Sequence, residues 1–157
     1  MDEVNRGMSI RASVRQFVRA PIERVYAAYV DPAVLSRWMG IRRIIDPTGS
    51  LDQAGTSFTE VVFGPYRTRS HVLAAERPTI HVLSGRGAFG AGYRWTTHFA
   101  ADDDGTNVML DAEVLLPRNL SGRLIRRFLS AAVVERGMQR RLASFASLVE
   151  AQETAQA

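Results

Sequence analysis

Cysteine is absent from the 157 residues, and with it go disulfide frameworks, CxxC zinc clusters, thiol catalysis and thiol redox sensing. Lysine is absent too: all 20 basic residues are arginine, set against 16 acids for a net charge of +4. A nucleic-acid binder concentrates such charge on one element with aromatic platforms interleaved. Here only the C-terminal segment is locally basic, through Arg123, Arg126, Arg127, Arg136, Arg140 and Arg141. Helical spacing puts these mostly on an outer, solvated face, so nucleic acid is not an expected partner. Apolar runs are short and interrupted by Arg, far below the ~20 residues of a membrane span. Met1-Asp2-Glu3-Val4-Asn5-Arg6 opens with acids and lacks the basic start and apolar run of a secretory signal. Together with the missing cysteine, these features lead to the expectation of a cytoplasmic protein.

Histidine is scarce, and His71, His81 and His98 show no HxxxE, HExxH or paired spacing, so no metal site is expected. A GxSxG elbow and a Walker loop are also missing, and no cofactor is expected. The stretch Gly85-Arg86-Gly87-Ala88-Phe89-Gly90 resembles a phosphate-binding fingerprint only superficially. It joins strand to strand, whereas that fingerprint needs a following helix N-terminus to hold the anion. It reads as a flexible hairpin flap.

What is present is a clear order of periodicities. Ile10, Ala12, Val14 and Val18 alternate with Arg11, Ser13, Arg15 and Arg19, which predicts a half-buried strand from Ser9. Pro21 suits a first helical turn, and Ile22, Val25, Tyr26 and Tyr29 follow at helical spacing. Asp31-Pro32 ends that helix and starts another, with Asp as N-cap, Val34, Leu35 and Trp38 as its apolar face and Gly40 at its close. Six strand candidates come next, at 41–45, 56–63, 66–75, 79–85, 93–100 and 106–116, separated by Gly, Pro and Asp turns. The Asp104-Gly105 turn is the plainest hairpin signal. From Leu124, the residues Phe128, Ala131, Met138, Leu142, Phe145 and Val149 recur near a 3.6 period, predicting one long amphipathic helix. Gly137 inside it suggests room made for a close neighbour.

Three segments are resolved along the chain: a flexible N-terminus at 1–8, a domain at 9–151 and a frayed tail at 152–157. A chain of this length needs neither metal nor disulfide to bury a core, since ~68–70% of its unfolded surface goes inside. Monomer and homodimer are both compatible with the sequence.

The motifs then carry a resemblance. Val18-Arg19-Ala20-Pro21-Ile22-Glu23-Arg24-Val25-Tyr26 with Asp31-Pro32-Ala33-Val34-Leu35-Ser36-Arg37-Trp38 resembles the opening of the SRPBCC superfamily, which includes START, Bet v 1 and polyketide cyclase/dehydrase-like proteins. Gly64-Pro65-Tyr66-Arg67, Glu76-Arg77-Pro78 and Asp104-Gly105-Thr106-Asn107-Val108 match its strand-turn signatures in order. The resemblance implies an α+β helix-grip fold: a curved antiparallel sheet wrapped round a long C-terminal helix, two short helices after the first strand, and Trp38 plugging the sheet opening.

Such a sheet cannot lie flat on a straight helix, so an apolar cavity is expected between them. Strand parity turns Tyr93, Trp95, Thr97 and Phe99 inward, with Val108, Leu110, Ala112, Val114 and Leu116, and also Tyr66, Thr68, Ser70, Val72 and Ala74. The helix adds Phe128 and Met138 to the expected ligand contacts, which comprise Trp38, Glu60, Tyr66, Ser70, Tyr93, Trp95, Thr97 and Leu110 as well. Glu60 faces inward if Phe58 and Val62 do, where burial raises its proton affinity and suits it to general acid–base work. The other register buries Val61 and Phe63 and sends Glu60 to solvent, and this reading is favoured because one carboxylate is not a catalytic constellation.

Three functions follow from these residues and the resemblance. The first is binding or transport of a hydrophobic small molecule, a lipid, polyketide or isoprenoid-like compound. The second is a polyketide cyclase, aromatase or dehydratase, with Glu60 and Tyr66 as candidate catalytic groups and Tyr93 and Trp95 beside them. The third is a chaperone-activator-like interaction module using the basic helix.

Overall fold

A computed structural model describes residues 9–87, 90–117 and 119–156. The first eight residues and the centre of the glycine-rich flap, Ala88 and Phe89, lie outside the described residues. Strand β1 (Ser9–Val18) leads into helices α1 (Ile22–Tyr29) and α2 (Pro32–Met39). Six strands follow: β2 (Arg43–Ile45), β3 (Ser57–Phe63), β4 (Tyr66–Glu76), β5 (Ile80–Arg86), β6 (Gly92–Asp102) and β7 (Gly105–Leu115). Helices α3 (Leu120–Phe128) and α4 (Ala131–Gln156) complete the order.

All seven strands form one curved antiparallel sheet in the order β1-β7-β6-β5-β4-β3-β2. The first strand pairs with the last, so β1 and β2 are opposite edges and α1–α2 carry the chain between them. Local chemistry sets that crossing. Asp31 caps α2 by accepting from Ala33 N at 2.8 Å and Val34 N at 3.3 Å, and Gly40 ends it in the left-handed region at φ 70°.

One face of the sheet packs on α4. The helix turns Met138, Leu142, Phe145 and Val149 inward, and Leu142 and Phe145 lose all contact with solvent. Each such side chain contributes ~1.5–3 kcal/mol through burial. Beneath α1 and α2 the interior is solid. Tyr29 packs edge-on to Phe99 and Phe145 at 5.1 and 5.7 Å between ring centroids, and Trp38 lies 5.9 Å from Trp95. The hydroxyl of Tyr29 is satisfied by Thr97 at 2.7 Å.

The structure departs from the sequence expectations at several points. The long C-terminal helix is two helices, because Leu129 takes extended angles and Ser130 Oγ accepts from Val133 N at 3.3 Å to start α4 afresh. Leu124 and Phe128 are consequently exposed and not part of the inner face. The frayed tail is helical to Gln156, with Glu153 paired to Arg24 at 2.7 Å. Gly137 faces open space, so it makes room for nothing. A bulge at Leu73 shifts β4 by one residue, and Ala75, not Ala74, then packs on the core. Gly105 follows the Asp103-Asp104 turn instead of forming it. A Cβ there would sit 2.3 Å from the Val18 carbonyl oxygen, and close approach explains the glycine.

Candidate functional site

The pairing register builds a polar cluster at one end of the inner face. Tyr93 of β6 stands opposite Gly85 of β5, Gly85 opposite Ser70 of β4, and the next inward position on β3 is Glu60, opposite Thr68. Because Gly85 has no side chain, the Tyr93 ring lies across it and reaches two strands further. A Cβ on Gly85 would fall 2.4 Å from Tyr93 Cε1 and 2.7 Å from Ser70 Oγ. Gly87 is used in the same way by Tyr66, whose hydroxyl would lie 2.4 Å from a Cβ there.

Glu60 is 2% exposed. The Tyr93 hydroxyl donates to its Oε1, and Ser70 Oγ donates to the same oxygen at 2.9 Å. Ser70 Oγ and Tyr93 Oη are themselves 3.0 Å apart. Among the described residues no hydrogen bond reaches Glu60 Oε2. Burial pushes the Glu60 proton affinity above its ordinary value of 4.5, against the opposing pull of the Tyr93 and Ser70 hydrogen bonds and the charge of Arg141 on α4. Burial and the neighbouring carboxylate hold the Tyr93 phenol well above 10.0. The set is an acid and a phenol sharing one proton-rich neighbourhood, able to hold a hydroxyl or carbonyl or to move a proton.

The inner face loosens toward this end. Ile10, Ala12, Tyr93 and Val114 point inward yet keep partial exposure, and Tyr66 does the same. On α4 the matching residues Val134 and Met138 are less deeply buried than Leu142 and Phe145.

Sequence-predicted residues divide accordingly. Glu60, Ser70 and Tyr93 come together, with Thr68 and Tyr66 adjoining. The favoured solvent-facing register fails at Glu60, which is inside with Phe58, and at Phe63, which is 67% exposed, although Val61 is buried as that register required. Trp38, Thr97 and Leu110 are buried in the aromatic part of the core, and Trp95, also buried, lies with its ring 4.7 Å from that of Tyr93. Phe128 is 75% exposed and contributes nothing to the interior. His81, of ambiguous parity, is buried with Nε2 donating to the Leu51 carbonyl at 2.8 Å. Burial lowers its proton affinity and keeps it neutral. Its Nδ1, Tyr26 Oη and Trp38 Nε1 have no hydrogen-bond partner among the described residues. Arg141 and the two glycines were missed, since their roles depend on which strands and helix lie beside them.

Grooves of about 590 Å³ and 430 Å³ lie outside the sheet–helix interior, on the outer sheet face around Arg11, Arg94 and Asp111 and at the β6–β7 turn beside Pro21. No group of three or more metal-ligating side chains occurs among the described residues, and none of their helices is long and apolar enough to cross a membrane.

A seven-stranded antiparallel sheet gripping a C-terminal helix, with two short helices after the first strand, defines a Bet v 1-like, SRPBCC-type protein. Residues 9–150 match the family described as polyketide cyclase / dehydrase and lipid transport, and the chain belongs to it. Solved structures share the fold at low identity. A protein of unknown function, SA2116 from Staphylococcus aureus, superposes with a TM-score of 0.74 at 12% identity, over 95% of this chain and 98% of that one. Ara h 8.0201 gives 0.68 at 11% identity over 94% and 99%. Protein CV1439 from Chromobacterium violaceum gives 0.64 at 20% over 90% and 97%. No curated protein matches the sequence.

Proposed function

We propose that this chain binds a hydrophobic small molecule, of the lipid, polyketide or isoprenoid-like kind, at the loosened end of the interior between the sheet and α4. The observation that carries the reading is Glu60. Two donors converge on its Oε1 and none of the described residues serves Oε2, which is not among the fully enclosed polar atoms lacking a partner, so an accessible carboxyl oxygen is left for a guest. Burying such a group costs stability unless it is paired. Tyr66, Thr68 and the aromatic face of Tyr93 supply the rest of a polar-ended, apolar-walled lining. The family description, which names lipid transport, supports the same reading. In this reading the protein works in the cytoplasm, as monomer or homodimer, with no cofactor.

Displacement of a fluorescent apolar probe, together with mass spectrometry of the organic extract of the purified protein, tests the proposal. Native protein binds the probe, and Glu60→Ala weakens a hydroxyl-bearing ligand at least about tenfold, the value of one hydrogen bond to a charged group. Absence of any probe binding, or equal affinity in Glu60→Ala, refutes it.

A second reading, a cyclase or dehydratase in the same place, is favoured by one observation: the raised proton affinity of Glu60 beside the Tyr93 hydroxyl. That pair suits proton transfer to a held polyketide-like chain. It requires that Glu60→Gln abolish turnover while leaving binding of the chain nearly intact.

A further inference from the structure

Helix α3 presents its apolar side to water. At 100° per residue, Leu120, Leu124, Ile125 and Phe128 fall on one half of the helix and Arg123, Arg126 and Arg127 on the other. The four apolar side chains are 80%, 61%, 42% and 75% exposed. Leu124, Ile125 and Phe128 line, with Leu129, an open groove of about 330 Å³ that has no polar wall. Isolated apolar residues on a surface mean little, but a contiguous patch marks an interaction site.

The start of the helix is closed locally. Asn119 Oδ1 accepts from Gly122 N at 3.1 Å, and Gly122 presses so closely on Pro117 that a Cβ would lie 1.7 Å from the Pro117 carbonyl oxygen. These ties close only its first turn; every other residue of α3 is exposed, so the apolar side stands in water.

Charge decides among the possible coverings. From Leu116 to Val134 the chain carries no acidic residue, so the charge beside the apolar side is of one sign and calls for an anionic partner. An anionic lipid surface offers both things this helix needs, an acyl phase for one side and phosphates for the other. We propose that α3 docks on an anionic bilayer, lying flat in the headgroup region with Leu120, Leu124, Ile125 and Phe128 toward the acyl chains and its three arginines toward the phosphates. At about 13 Å long the helix is too short to hold the membrane by apolar contact alone, and docking is reversible and dependent on surface charge. The proposal goes beyond the interior-binding reading and stands without it, because it rests on a different surface.

Co-sedimentation of the full chain with phosphatidylcholine vesicles, with and without phosphatidylglycerol, tests it. Binding is expected only to the phosphatidylglycerol-containing vesicles. Leu124→Gln/Phe128→Gln keeps the net charge and lowers partitioning about 100-fold through lost apolar burial. Arg126→Gln/Arg127→Gln lowers it about 25-fold. Phe128→Trp shows blue-shifted emission when those vesicles are added. Both double variants sit on exposed positions, and circular dichroism confirms their fold. Three results overturn the proposal: no binding to either vesicle, undiminished binding by Leu124→Gln/Phe128→Gln, or a concentration-dependent dimer that the same variant abolishes in place of vesicle binding.

Discussion

Gly85→Ala tests the construction of the polar cluster. The added methyl would stand 2.4 Å from Tyr93 Cε1 and 2.7 Å from Tyr93 Cζ, so the ring must retreat by about 1 Å to reach ordinary carbon contact. The Ser70 hydroxyl, 2.7 Å away, can rotate aside, but the ring is fixed between β5 and Trp95, 4.7 Å off. Overpacking of this kind costs ~1–3 kcal/mol, and withdrawing the Tyr93 hydroxyl from a buried carboxyl costs ~1.5–3 kcal/mol more. The two overlap, and about 3 kcal/mol is expected, or a fall of about 6–12 °C in Tm for a chain of this size. Urea unfolding of Gly85→Ala, Tyr93→Ala and the double variant supplies the cycle. In the Tyr93→Ala background the alanine meets no ring, and it should be neutral or stabilising by ~0.5–1 kcal/mol, as alanine ordinarily is over glycine inside a strand. If Gly85→Ala costs as much without Tyr93 as with it, or costs nothing in the native background, the glycine does not serve the tyrosine and the reasoning fails.

Two further outcomes follow from the same geometry. Glu60 binds its proton more tightly folded than unfolded, so its contribution is lost as pH rises from about 4.5 through the raised folded value. Glu60→Gln should therefore gain stability relative to the native protein across that rise, seen as a pH-dependent difference between their urea midpoints; a constant difference would contradict it. Asp31→Ala, which removes the acceptor for Ala33 N and Val34 N, should cost ~1 kcal/mol, and Asp31→Asn should restore most of it.

Much of this architecture was legible because it is written locally. Alternation in Ile10-Ala12-Val14-Val18 and in Tyr93-Trp95-Thr97-Phe99 names both the strands and their inner faces, and Asp31-Pro32 with Gly40 brackets α2. The break at Leu129 escaped because the apolar spacing from Leu124 to Leu142 continues across it, with neither Gly nor Pro to mark the stop. Ser130 was the one available sign, a good N-cap without the acidic residue three positions on that completes a capping box. The bulge at Leu73 left no residue-type signal at all. The site was half visible: Glu60 and Tyr93 stood out by residue type, but their meeting depends on Gly85 standing between Ser70 and Tyr93 in the assembled sheet. That is a fact of register, and register is set by partners 15 and 8 positions away along the chain.

The two ends of α4 are secured unequally. Near its C-terminus Glu150 takes the Arg19 amide, Glu153 holds Arg24, and Phe145 is locked among aromatic rings, whereas the turns bearing Val134 and Met138 rest on side chains that still touch water. A rod pinned at one tip parts from its bed at the other. Were a guest admitted as proposed, entry beside Glu60 would disturb the fewest contacts and leave the aromatic half intact, so uptake and stability would fall to separate stretches of one helix.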